Sequence, residues 1–259
     1  MPDEQPVNTP MAFPAALLLP GDAFDTDQLQ ILGRGVAGRY LAQGLTTSLG
    51  CGEELTLLVS TSEERSLLMS LLEPFLSEGA HLRVVVGINR SICEEVGALH
   101  VPDPGLARWE LLRSGRPANS FSLTGVIHTL SSASVFESLE RLVIAPLQSW
   151  DALVCTSSAG RSVVQNAIHH HHATLERRFG QSLPQPNGPQ LPLIPLAVDD
   201  PFAASGQTRQ EQRISARLQL GIPQSAFVAL FLGRLSFHSK AHPLPLYRVL
   251  ARLAVEQPE

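Results

Sequence analysis

Three places in the 259-residue chain bring together residue types able to act on a small molecule. The first is Gly33-Arg34-Gly35-Val36-Ala37-Gly38, a glycine-rich turn leading into a helix. Such a turn exposes backbone N–H groups to an anion, helped by the helix dipole, although the same glycines also suit a plain turn. The six residues have the letter spacing G-x-G-x-x-G, but no acidic residue follows a second strand at the expected place, and the run is not read as a dinucleotide fingerprint. The second place is His128, directly after the apolar run 121–127. A strand-end histidine can bond a substrate hydroxyl or phosphate, or transfer a proton; it can equally be structural. The third is the stretch 233–240, where Arg234 follows the most apolar run of the chain and Lys240 precedes a helix starting near His242. Two cations beside a helix N-terminus would cradle a diphosphate; the alternative is a solvated basic loop.

Other reactive residue types are weaker candidates. His169, His170, His171 and His172 are consecutive, so on a helix only His169 and His172 share a face. They read as a solvated helix face, and no metal site is expected. Asp151 and Ser157, on either side of the run 152–155, could line a cleft, while Ser157 and Ser158 also suit a helix cap. No Gly-x-Ser-x-Gly elbow, Walker loop or His-Glu-x-x-His occurs.

The elements that must position these residues follow from patterning. Apolar runs at 15–19, 55–59, 82–86, 121–127, 152–155 and 191–196 read as buried strands. Between them lie amphipathic helical patterns: one running from Val36 to Leu49, one from Thr61 with a capping box to Glu64, and one through Val135, Leu139 and Leu142. Strands apolar on both faces that alternate with such helices indicate an α/β fold, a Rossmann-like parallel sheet with helices on both faces. The polar stretch 199–212 reads as a connection, so a first domain at 1–200 is expected. Residues 201–259 would then supply a linker and the first strand, 226–232, and first helix of an incomplete second Rossmann-like domain.

Composition narrows the class. Hydrophobic residues make up 44% and charged residues 17%, with 19 Lys+Arg against 24 Asp+Glu and a formal charge of −5. This excludes a disordered tail and gives no electrostatic pull toward nucleic acid. No apolar run reaches membrane-spanning length. The start lacks the cationic lead of a secretory signal, and Cys51, Cys93 and Cys155 are odd in number without metal-ligand spacing. A reduced, cytoplasmic protein is the expectation.

Four segments together resemble bacterial group 1 (family 4) glycosyltransferases. FSLTGVIHTLSSASVFESLERLVIAPLQSWDALVCTSSAGRSVV, from residue 121, is similar to their N-terminal domain, and ILGRGVAG, from residue 31, to the glycine loop of their cleft. LPLIPLAVDDPF resembles their interdomain junction, and VALFLGRLSFHSKAHP the first strand and donor-phosphate loop of their C-terminal domain. The resemblance implies the GT-B architecture and sugar transfer, usually retaining. The donor would be a nucleotide-diphosphate sugar and the acceptor a carbohydrate or a lipid-linked molecule, with neither metal nor further cofactor. It implies Gly35, Arg234 and Lys240 at the donor diphosphate and His128 as the catalytic histidine near the acceptor. It leaves peripheral membrane contact open.

The departure from that family is the glutamate pair of the second domain, which has no place before Glu259. The chain by itself is therefore expected to be truncated and nearly inactive, with an unpaired strand edge near 226–232 inviting association. The alternatives are an inactive GT-B-like binding module or another GT-B enzyme, such as a nucleotide-sugar epimerase or a phosphorylase.

Overall fold

The structure, a computed structural model, describes residues 10–25, 33–197, 206–231 and 242–256. The chain divides into two compact units, Met1–Val198 and Asp199–Glu259.

The first unit is built on six strands: β1 Met11–Leu18, β2 Glu53–Val59, β3 His81–Val86, β4 Ala98–Val101, β5 Ser122–Ile127 and β6 Ala152–Cys155. They form one parallel sheet in the order β3-β2-β1-β4-β5-β6, the doubly wound order of Rossmann-like domains. Parallel neighbours need a crossover, and helices supply it. Helices α1 Gly33–Ser48 and α2 Ser62–Leu72 lie on one face; α3 Arg90–Val96, α4 Leu106–Trp109, α5 Ala133–Ile144 and α6 Ser158–Phe179 lie on the other.

The period of two along each strand divides the core between these faces. From β2, Leu55, Leu57 and Val59 pack with Ala42 of α1 and Leu68 and Leu72 of α2. The intervening Leu58 points the other way, to a cluster with Leu99, Leu123, Leu153, Leu139 of α5 and Val164 of α6. Each of these large side chains is almost wholly buried. Removing a buried leucine from water contributes about 1.5–3 kcal/mol, which explains why continuous apolar runs at these positions hold the sheet in register.

Helix ends are fixed locally. Thr61 Oγ1 accepts from Glu64 N at 3.1 Å, and Glu64 Oε2 accepts from Thr61 N at 3.3 Å, completing the expected capping box of α2. Asn89 caps the start of α3, and Gly97, at φ 89°, ends it in the left-handed region that glycine adopts freely. Ser157 Oγ accepts from Gly160 N at 3.0 Å and caps α6.

Several expectations need correction. β4 and α3 were not among the expected elements: β4 is four residues long and carries a polar His100, so its apolar signal is weak. Residues 191–196 do not form a strand; the segment makes only isolated parallel bridges, Ala152↔Gln190 and Cys155↔Leu193, because its prolines cannot donate to a ladder. Residues 33–38 belong to α1 and are not a loop.

The second unit holds α7 Arg209–Gln219, opened by a Thr208–Glu211 capping box, and α8 Leu244–Glu256. α7 begins inside the stretch read as a connection. Residues 226–231, expected to be a strand, have no regular structure, and Phe227 is 85% exposed. No strand occurs among the described residues of this unit; the six strands of the Rossmann-like sheet all lie in the first unit. No helix among the described residues is long and apolar enough to cross a membrane.

Candidate functional site

In a doubly wound sheet the carboxyl ends of the strands face the ligand. Here a cleft of about 430 Å³ opens between α1 and the carboxyl ends of β1, β4, β5 and β6. Its sheet side presents Leu19, Val126 and Val154; its helix side presents Tyr40, Leu41 and Gly44, and Ile194 and Leu196 form a rim. Besides Tyr40, the polar side chains in its wall are His100 and His128.

The two histidines reach the cleft by strand geometry. His100 on β4 stands opposite Thr124 on β5 in the parallel register, and His100 Nδ1 is 2.9 Å from Thr124 Oγ1. That contact orients the ring and leaves Nε2 as the atom turned elsewhere. Nε2 is buried with no hydrogen-bond partner among the described residues, and His128 Nδ1 is in the same condition. Buried polar nitrogens are normally bonded, so two orphans in one cleft wall mark a place where a ligand group or ordered water completes the pair.

Burial sets their charge. It pushes His100 down to about 4, and the neighbouring His128 acts in the same direction. His128 is also lowered, first by burial and then by the Arg34 guanidinium, against a smaller opposite pull from Asp103. Both imidazoles are therefore neutral at pH 7, each offering one N–H and one lone pair. A neutral imidazole bonds an uncharged hydroxyl or carbonyl and can accept a proton; it does not neutralise a diphosphate.

The first turn after β1 is occupied by the protein's own groups. Gly21 N donates to Glu64 Oε1 at 2.8 Å, and Arg34, in the first turn of α1, pairs with Asp22. Gly35 and Gly38 bring α1 down onto this turn. A Cβ at Gly35 would stand 3.3 Å from the Asp22 carbonyl oxygen, and one at Gly38 would overlap that of Ala23. The described residues of the turn thus present carboxylates and a used amide where a dinucleotide pyrophosphate needs free N–H groups.

The remaining candidates separate. Arg234 and Lys240 lie outside the described residues. Asp151 does not line the cleft: it precedes β6, at the opposite end of the strand, where it is fully buried against Arg113. Ser157 is the cap of α6. The four histidines are not all solvated: His172 is buried, with Nε2 3.1 Å from the Pro184 carbonyl oxygen, and His171 lies 3.8 Å from Glu140. His100 was missed, although Gly97 before it and Pro102 after it bracket a short strand.

No protein-family model matches the chain. No curated protein matches it either. Among solved structures, it is similar to a short-chain type dehydrogenase/reductase from Mycobacterium ulcerans, at 12% identity and a TM-score of 0.26, over 66% of this chain and 64% of that one. It is also similar to an oxidoreductase from E. coli, at 14% identity and a TM-score of 0.25, over 70% of this chain and 76% of that one. The chain thus spans a little under two thirds of the first structure's length.

These findings correct the glycosyltransferase reading. Both matched structures are named as oxidoreductases, neither is a glycosyltransferase, and no family or curated protein restores the resemblance. The GT-B pairing, the nucleotide-diphosphate sugar, the epimerase alternative and the expectation of working without a cofactor are withdrawn with it. Overlap this low carries no activity from those two proteins to this one. The class defined by the fold is a Rossmann-like α/β unit with a cleft at its carboxyl edge.

Proposed function

We infer that the first unit binds an uncharged small molecule in this cleft, with its polar group held by His100 and His128 and its apolar body against α1. The observation that carries the reading is the pair of buried, unbonded imidazole nitrogens in an otherwise apolar wall. Both rings are neutral at pH 7, which favours a hydroxyl or carbonyl over a phosphate. His128 directly follows β5, and in this reading it accepts a proton from a bound hydroxyl.

The test is a ¹H–¹⁵N spectrum of the histidine ring nitrogens, titrated with 1-hexanol, cyclohexanone, ADP and NAD⁺ in parallel. The neutral compounds are expected to shift His100 Nε2 and His128 Nδ1, and the His128→Ala variant should weaken that binding about tenfold, the loss of one buried hydrogen bond. Saturation by ADP or NAD⁺ with no response to the neutral compounds would overturn the reading.

A further inference from the structure

Three glycines of α1 beyond its first residue, Gly35, Gly38 and Gly44, differ in what the fold requires of them. Gly35 and Gly38 are needed because a Cβ would press on, or overlap, the backbone of the turn at 21–25. Gly44 has no such reason. Its φ lies outside the left-handed region, it sits in a helix interior where glycine is a poor former, and an ideal Cβ there meets nothing within 4 Å. Yet Gly44 lines the cleft, beside Tyr40, Leu41 and Leu45 on one face of α1 and across from Ile194 and Leu196 on the rim. What its missing side chain supplies is room in the cleft.

Arg34 is close enough to His128 to lower its proton affinity, so the start of α1 lies at the polar end. From position 34 to position 44 the helix rises about 15 Å, and the α1 residues that line the cleft along it are Ala37, Gly38, Tyr40, Leu41, Gly44 and Leu45, all but Tyr40 without a polar side chain. We propose that Gly44 determines how long an apolar group the cleft accepts, and that the ligand is an uncharged amphiphile with its polar head at the two histidines and its tail passing over Gly44. This rests on the reading of the cleft given above.

The test is a chain-length series, 1-butanol to 1-decanol, bound to the full chain and to its Gly44→Leu and Gly44→Ala variants, read by calorimetry. In the unchanged protein, affinity should rise about fourfold per buried methylene. Gly44→Leu should leave butanol unaffected, weaken decanol at least tenfold and end the rise at a shorter chain. Gly44→Ala should move the same limit by less, and it keeps the test valid if the leucine variant does not fold. A rise of equal slope and extent in all three proteins overturns the role of Gly44 alone. Failure of every alcohol to bind the unchanged protein overturns the cleft reading itself, and this inference with it.

Discussion

Asp151 grips Arg113 with both oxygens, Oδ1 to Nη1 at 3.0 Å and Oδ2 to Nη2 at 2.8 Å, and neither side chain is open to water. The same carboxylate accepts Leu123 N and Gln148 N, each at 2.8 Å. One residue therefore ties together the turn before β6, the start of β5 at Leu123 and the short 3-10 turn that carries Arg113. These are the amino ends of the strands whose carboxyl ends line the cleft.

Breaking that pair from one side should be costly, because the partner stays buried and charged. Arg113→Met or Asp151→Asn is expected to lower unfolding free energy by about 3–5 kcal/mol, while Arg113→Met combined with Asp151→Asn should cost less than the sum of the two, because no unpaired buried charge remains. Urea unfolding of the single and double variants measures both effects.

The glycines of α1 should respond with opposite signs. Gly38→Ala places a methyl group on the Ala23 carbonyl, and overpacking of this kind costs about 1–3 kcal/mol. Gly44→Ala meets open space and should stabilise the protein by about 0.5–1 kcal/mol through helix propensity. Thermal unfolding of the two variants side by side reads the difference.

Glu64 serves two elements with one carboxylate, accepting Gly21 N at 2.8 Å from the first turn and Ser60 N at 2.7 Å at the start of α2. Glu64→Ala should cost about 1–2 kcal/mol, the scale of a lost helix cap. Amide hydrogen exchange should quicken at Gly21 as well as at Ser60 and Thr61, although Gly21 is distant in sequence; exchange unchanged at Gly21 would show that the link is idle.

His100 makes stability depend on pH. Its folded value of about 4 lies below the 6.5 of the unfolded chain, so between these values the unfolded chain binds the extra proton. Stability should be full above about 6.5 and fall by up to ~3 kcal/mol as pH drops toward 4. His100→Gln, which cannot take up that proton, should flatten this part of the curve. Urea midpoints between pH 4 and 7.5 for both proteins check it.

The apolar runs of β2 and β5 were legible because Leu55–Val59 and Gly125–Ile127 are buried on both faces of the sheet and need no polar alternation. The capping boxes were legible for a related reason: Thr61 and Glu64 satisfy backbone groups within one turn, so the requirement is written locally. What the sequence hid depended on distant neighbours. Gly35 and Gly38 look like an anion-binding turn until the segment 21–25 is found pressed against them. Asp151 looks like a cleft acid until Arg113, far away in the chain, arrives at 2.8 Å. His100 gained its meaning only from Thr124 on the next strand, and its four-residue strand gave too little pattern to announce it. Residues 226–231 are apolar enough for a strand, but no neighbour pairs with them among the described residues.

The proline-bearing segment beside β6 has an effect on how copies of this protein meet. Leu153 N and Cys155 N both donate to it, to Gln190 O and Pro192 O, and the Gln190 and Ile194 amides donate back. That rim of the sheet is closed, and Pro189, Pro192 and Pro195 leave the segment's outer side poor in donors for any incoming strand. At the other rim, His81–Val86 pairs with β2 and has no further strand beside it among the described residues. A second copy adding strand to strand would meet paired and donor-poor backbone beside β6 and unpaired backbone along His81–Val86.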